Sequence, residues 1–159
     1  MVLQVYELSA QFLPKDWIMD KWEEGFYITA MAGSSTGSSL VVMSKGTPYT
    51  QQSYKVSDSF PFKWINKKWK EGFYVTSMAT SLARWAVVMS RNAGFIDQCV
   101  ELDFQYPSEG IHRRWDAGKA FHQSEHIQAQ STDSRIGIFA GGLLECIKLR
   151  RSVNICSAI

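Results

Sequence analysis

The sequence predicts a mainly β fold with short helices, built from antiparallel repeats of about 46 residues as a propeller-like, incomplete array, with a layered α+β repeat as the alternative. Three observations predict it. The string Trp17-Ile18-x-x-Lys21-Trp22-x-Glu24-Gly25-Phe26-Tyr27 recurs 47 residues later as Trp64-Ile65-x-x-Lys68-Trp69-x-Glu71-Gly72-Phe73-Tyr74, and Val41-Val42-Met43-Ser44 returns as Val87-Val88-Met89-Ser90 after 46. Proline and glycine bracket each Trp-rich stretch, and paired β-rich runs follow it. In those runs apolar residues point both ways, Phe26, Ile28 and Ala30 to one face and Tyr27 and Met31 to the other, so both faces are expected to be covered, as stacked blades require.

Taken in order, Gln4-Val5-Tyr6-Glu7-Leu8 resembles Gln98-Cys99-Val100-Glu101-Leu102, the element expected to close a unit, so residues 1–11 read as the end of one unit and the sequence as a piece of a longer array. Pro14 suits the first turn of a short helix, Ile18 and Trp22 are i,i+4 neighbours on one face, and Gly25 falls where the helix ends. Phe26 to Ala32 and Leu40 to Ser44 then form a hairpin across the Ser- and Gly-rich loop 33–39, and Gln52 to Val56 completes a full unit over 12–58. The second unit, 59–105, repeats the plan with Pro61, Ile65/Trp69, Gly72, strands at Phe73–Ala79 and Trp85–Ser90, and a third run from Gln98 to Phe104. A third unit starts over 106–118 with Pro107, Ile111, Trp115 and Gly118. The repeat domain is thus 1–118, and 119–159 is a divergent tail, disordered or an alternative end.

Composition narrows the function. With 45% hydrophobic and 20% charged residues among 159, the chain suits one globular domain, and a net charge of +2 falls short of a dedicated nucleic-acid binder. Cys99, Cys146 and Cys156 are odd in number and widely spaced, which argues against a disulfide framework or a structural zinc cluster and for a reducing compartment. The start Met1-Val-Leu-Gln-Val-Tyr-Glu7 lacks the basic and apolar regions of a signal peptide. The least polar later stretch, Ile136 to Leu149, contains Glu145 and is shorter than the roughly 20 residues of a membrane span.

The phrases Phe12-Leu-Pro-Lys-Asp-Trp-Ile18, Ser44-Lys-Gly-Thr-Pro-Tyr-Thr-Gln-Gln-Ser-Tyr-Lys-Val-Ser57, Phe60-Pro-Phe-Lys-Trp-Ile-Asn-Lys-Lys-Trp-Lys-Glu-Gly72 and Tyr106-Pro-Ser-Glu-Gly-Ile-His-Arg-Arg-Trp115 resemble the C-terminal repeat region of plant casein-kinase-I-like Ser/Thr kinases, including the photoregulatory protein kinases. The resemblance covers residues 2–118 and departs from the family pattern at Lys119. It implies a region that follows a kinase domain, an intracellular and nuclear location with the cytoplasm as the alternative, and involvement with protein substrates such as histones and light- or flowering-pathway regulators. The catalytic motifs do not carry over: the sequence has no Gly-rich phosphate loop, no His-Arg-Asp with its downstream Asn, and no Asp-Phe-Gly.

Other candidate chemistry is sparse. His122-Gln-Ser-Glu125-His126 has the His-x-x-Glu-His spacing of inverted zinc peptidases, in which both histidines bind the metal and the glutamate activates water; a third ligand and a helix to carry the motif are also needed. Trp17, Trp22, Trp64, Trp69, Trp85 and Trp115 offer a stacking platform, but their recurrence favours packing between units. The basic clusters Lys67-Lys68-Lys70, Arg113-Arg114 and Arg150-Arg151 suit a solvated face, the loop 33–39 lacks a phosphate-binding fingerprint, His112 has no partner at a motif spacing, and Cys99 reads as a small core residue.

The expected function is therefore a non-catalytic protein-interaction or regulatory module of a casein-kinase-I-like kinase, without a cofactor, metal or catalytic residue. Protein partners or kinase substrates are expected, with no membrane and no strong nucleic-acid signal, and with self-association through uncovered repeat ends. The alternative is a piece of a Ser/Thr kinase whose catalytic domain lies outside this sequence. A remote third reading is a zinc peptidase using His122, Glu125 and His126.

Overall fold

The proline and glycine punctuation places two helices of equal length. In a computed structural model that describes the backbone of residues 3–103, 120–127 and 151–158 and the side chains of residues 3–100, Pro14 and Pro61 stand immediately before α1 (Lys15–Glu23) and α2 (Phe62–Lys70). Their carbonyls accept the first intrahelical bonds, from Ile18 and Ile65, both at 3.0 Å. Gly25 and Gly72 adopt φ of 83° and 80°, where a side chain would be strained, and close the helices in the same way. Gly25 N–H reaches Trp22 O and Phe26 N–H reaches Lys21 O; Gly72 to Trp69 and Phe73 to Lys68 repeat both bonds, the paired closure of a Schellman motif.

The chain divides into two compact units, Met1–Ala93 and Gly94–Ile159. In the first, β1 (Leu3–Ser9), β2 (Tyr27–Gly33) and β3 (Ser39–Lys45) form an antiparallel sheet in the order β1-β3-β2. A second sheet joins β4 (Gln52–Ser57), β5 (Tyr74–Ser81) and β6 (Arg84–Ser90) in the order β4-β6-β5. The two outer strands of each sheet are both antiparallel to the central one and so parallel to each other, which requires a crossover rather than a tight turn. The helix between them supplies it. The run at Gln52 was expected to complete the unit that starts with α1, yet it bonds to β6. The hydrogen-bonded unit therefore runs strand, helix, hairpin, one strand out of step with the 12–58 and 59–105 frame.

A register shift falls at the same place in both sheets, between Ile28 and Ala30 and between Val75 and Ser77. The extra residue is a threonine each time, and its hydroxyl bonds the serine across the sheet: Thr29 to Ser44 at 2.9 Å, Thr76 to Ser90 at 2.7 Å. The bulge corrects the simple alternation read from the sequence. Ile28 is fully buried, whereas Ala30, two residues on, lies opposite Val42 and is exposed, because one inserted residue reverses the facing of everything after it.

The core of this unit joins α1 to both sheets. Ile18, Ile28, Val41 and Met43 from α1 and the first sheet pack with Ala86 and Val88 of the second, with Trp22, Tyr54 and Val56 against them. Every residue from Trp85 to Ser90 is buried, so the second sheet is covered on both faces. The first is not: Tyr6 and Leu8 are 69% and 71% exposed.

In the second unit β7 (Asp97–Asp103), β8 (Ala120–Ile127) and β9 (Arg151–Ala158) form an antiparallel sheet in the order β7-β9-β8, with a register shift between Phe121 and Gln123. Two of these strands lie in the stretch 119–159. Among the described residues no helix is long and apolar enough to cross a membrane.

Candidate interaction surface

The polar chemistry of the first unit concentrates where β4 meets β2. Gln52, on β4, places its carboxamide against Ile28 like a short piece of strand: its Oε1 accepts from Ile28 N–H at 2.7 Å and its Nε2 donates to Ile28 O at 2.7 Å. The same oxygen accepts from the Trp22 indole at 3.1 Å, and the same nitrogen donates to Ser90 Oγ at 2.9 Å. Trp22 also lies against Tyr54, ring centroids 5.8 Å apart. A helix of the first sheet, its outer strand and a strand of the second are thus held by one amide. Gly33 brings the sheets together at the far end of β2, where a Cβ would stand 2.1 Å from Thr80 O, and Ser81 Oγ donates to Ser34 O at 2.8 Å.

Positive charge gathers at the helix C-termini, where the macrodipole favours it. Arg91 donates to Glu71 O through Nε at 3.1 Å and Nη2 at 2.8 Å, and to Gln51 Oε1 at 2.8 Å. Its guanidinium lies 4.6 Å from the Phe73 ring centre, and Lys68 Nζ lies 4.7 Å from the same ring. Lys68 also pairs with Glu71 at 2.7 Å, and this hydrogen bond, helped by the charges of Lys68, Lys67 and Arg91, holds the Glu71 carboxyl below its ordinary range. Around Phe26 the arrangement is looser, with Lys21 and Lys45 each at 5.7 Å. Lys63, Lys67 and Lys70 are exposed along α2. Burial pushes the Tyr49 and Tyr54 hydroxyls up, Tyr54 with a smaller contribution from Asp16.

The tryptophans marked in the sequence divide between these elements. Trp17 and Trp22 pack against the core cluster, Trp85 is 6% exposed with Phe60 edge-on at 5.1 Å, and Trp64 and Trp69 on α2 are half-buried. Cys99 is a free, half-buried thiol on β7. The backbone carrying His122, Glu125 and His126 is strand β8, so the helix that a His-x-x-Glu-His zinc motif requires is not formed there; the three side chains lie outside the described residues. His112, Trp115, Arg113 and Arg114 lie outside them too. Among the described residues no group of three His, Cys, Asp or Glu converges on a common point. Gln52 and Arg91, whose side chains make four and three hydrogen bonds, were not singled out in the sequence. A signal for Gln52 was present, since glutamine recurs at 4, 52 and 98, at the start of each first strand.

A family model described as Domain of unknown function (DUF7477) matches residues 1–133. Over 84 residues, 53% of this chain, the sequence is 77% identical to casein kinase 1-like protein HD16 of Oryza sativa subsp. japonica. The match spans only 12% of that relative's length.

Proposed function

We propose, from the premise that this chain belongs to the DUF7477 family, that it is a non-catalytic interaction module of a casein kinase 1-like protein, a repeat-built, propeller-like array that presents protein substrates or regulators to the kinase. The observation that carries this reading is the 77% identity to a casein kinase 1-like protein over a stretch that holds none of the kinase motifs. The shared strand order, helix closure and bulge position of the two sheets support the repeat, and the two covered faces of the second sheet support stacking. The exposed lysines of α2 favour an acidic segment on the partner. Such partners, by the family resemblance, are nuclear proteins.

The test compares a kinase of this family with and without the module, on a short peptide substrate and on its intact protein substrates. Removal leaves the peptide rate unchanged and lowers kcat/KM for the intact protein at least tenfold, through KM. Equal losses on both substrates, or no loss on either, would refute a recruiting role.

A further inference from the structure

Sequence position and sheet register make β1 the counterpart of β4, and their surroundings differ in one respect. Gln4 lies opposite Ser44 as Gln52 lies opposite Ser90, Tyr6 opposite Val42 as Tyr54 opposite Val88, and Leu8 opposite Leu40 as Val56 opposite Ala86. Gln4 Nε2 donates to Ser44 Oγ at 3.2 Å, the same bond that Gln52 makes to Ser90. There the likeness ends. Gln52, Tyr54, Val56, Ala86 and Val88 are covered by α1 and β2, whereas Gln4, Tyr6 and Leu8 are exposed and Leu40 and Val42 are half-exposed. Among the described residues Gln4 Oε1 has no partner. A concavity lined by Leu8, Ala32, Gly33 and Leu40 opens where, on the second sheet, Thr80 receives Gly33.

From this we infer that the open face of the first sheet is a docking surface for another strand–helix–hairpin module of the same kind. Its occupant presents what α1 and β2 present to β4: an indole N–H from the helix, and the free backbone N–H and C=O of the aliphatic residue before the bulge. Gln4 closes on that backbone as Gln52 closes on Ile28, the indole lies over Tyr6, and the occupant's aliphatic side chains cover Leu8, Leu40 and Val42. The chemistry of the surface is specific to such a face, because an apolar patch with a carboxamide at one end needs a partner offering both a donor and an acceptor at strand spacing. The inference rests on the repeat reading proposed above and not on the recruiting role.

The experiment is a tandem duplication within the full chain: a second copy of residues 4–51 is inserted ahead of Gln4, reproducing the register in which Gln52 follows Gln51. Tyr6→Phe in the front copy leaves a single Tyr6 to be read. Acetylation of that tyrosine, followed by mass spectrometry, is expected to slow at least tenfold relative to the parent chain. Gln4→Ala in the rear copy returns part of the reactivity, whereas the same substitution in the parent chain, where Gln4 is exposed, leaves its melting temperature unchanged. Tyr6 labelled at the parent rate in a folded duplicate overturns the inference, and so does a duplicate that fails to fold where the parent folds. Protection of Tyr6 and recruitment of substrate are separate readouts, so either reading can fail alone.

Discussion

Replacing Gln52 by alanine tests the junction between the sheets. The side chain makes four hydrogen bonds, two of them to the backbone of Ile28, whose side chain is fully buried. A hydrogen bond contributes about 1 kcal/mol net, and an unsatisfied buried partner costs about 1–3 kcal/mol. The bonds here are only partly buried, so water replaces some of what is lost, and the lower end applies to each of the two Ile28 groups. Adding about 0.5 kcal/mol each for the Trp22 and Ser90 bonds gives a loss of about 3 kcal/mol, or roughly 12 °C in Tm at ~4 °C per kcal/mol. Urea and thermal denaturation followed by tryptophan fluorescence measure it. Gln52→Glu keeps the two accepting bonds but turns a carboxylate oxygen toward Ile28 O where a donor stood, so it is at least as destabilising as alanine. Gln51→Ala, which removes one exposed bond from Arg91, stays within about 0.5 kcal/mol. A Gln52→Ala chain as stable as the parent, or no less stable than Gln51→Ala, would refute the role given to this amide.

Three further outcomes are expected. Gly33→Ala drives a methyl group into the Thr80 carbonyl and lowers stability by about 2 kcal/mol, read by the same denaturation, whereas Gly94→Ala, with open space around it, is limited to the strain of its positive φ. Because the folded-state carboxyl of Glu71 is depressed, its contribution is present above the unfolded value and lost as pH falls through the folded one; NMR titration of Lys68→Met should show the Glu71 midpoint moving up toward the ordinary range. Tyr49 is raised by burial, so the stability tied to its neutral form holds below the usual tyrosine value of 10.0 and is lost as pH climbs through the folded one, which ultraviolet titration against Tyr49→Phe will register as a phenol ionising late.

Much of the architecture was legible in the residues themselves, and what was not has identifiable reasons. Pro14, Pro61, Gly25 and Gly72 announced where each helix begins and ends because their backbone preferences are local. The partner of β4 was hidden because a strand of alternating pattern can pair with the hairpin before it or the one after; the choice is made by the crossover helix, a non-local constraint. The bulges were hidden because Thr29 and Thr76 look like ordinary strand residues, and only the serine across the sheet reveals why one is inserted. The importance of Gln52 was hidden for a related cause. A glutamine in a strand reads as a solvent-facing residue until the neighbouring sheet supplies an amide for it to match.

The bulge in β2 has a consequence for how the molecule behaves in a crowded solution. β2 forms the border of its sheet, and a straight border with unpaired amides would invite foreign strands to add on and grow into fibres. The inserted Thr29 bends that border, and the carboxamide of Gln52 occupies the N–H and C=O of Ile28 that an incoming chain would need. One inserted residue and one side chain thus both obstruct the addition of a foreign strand at this border.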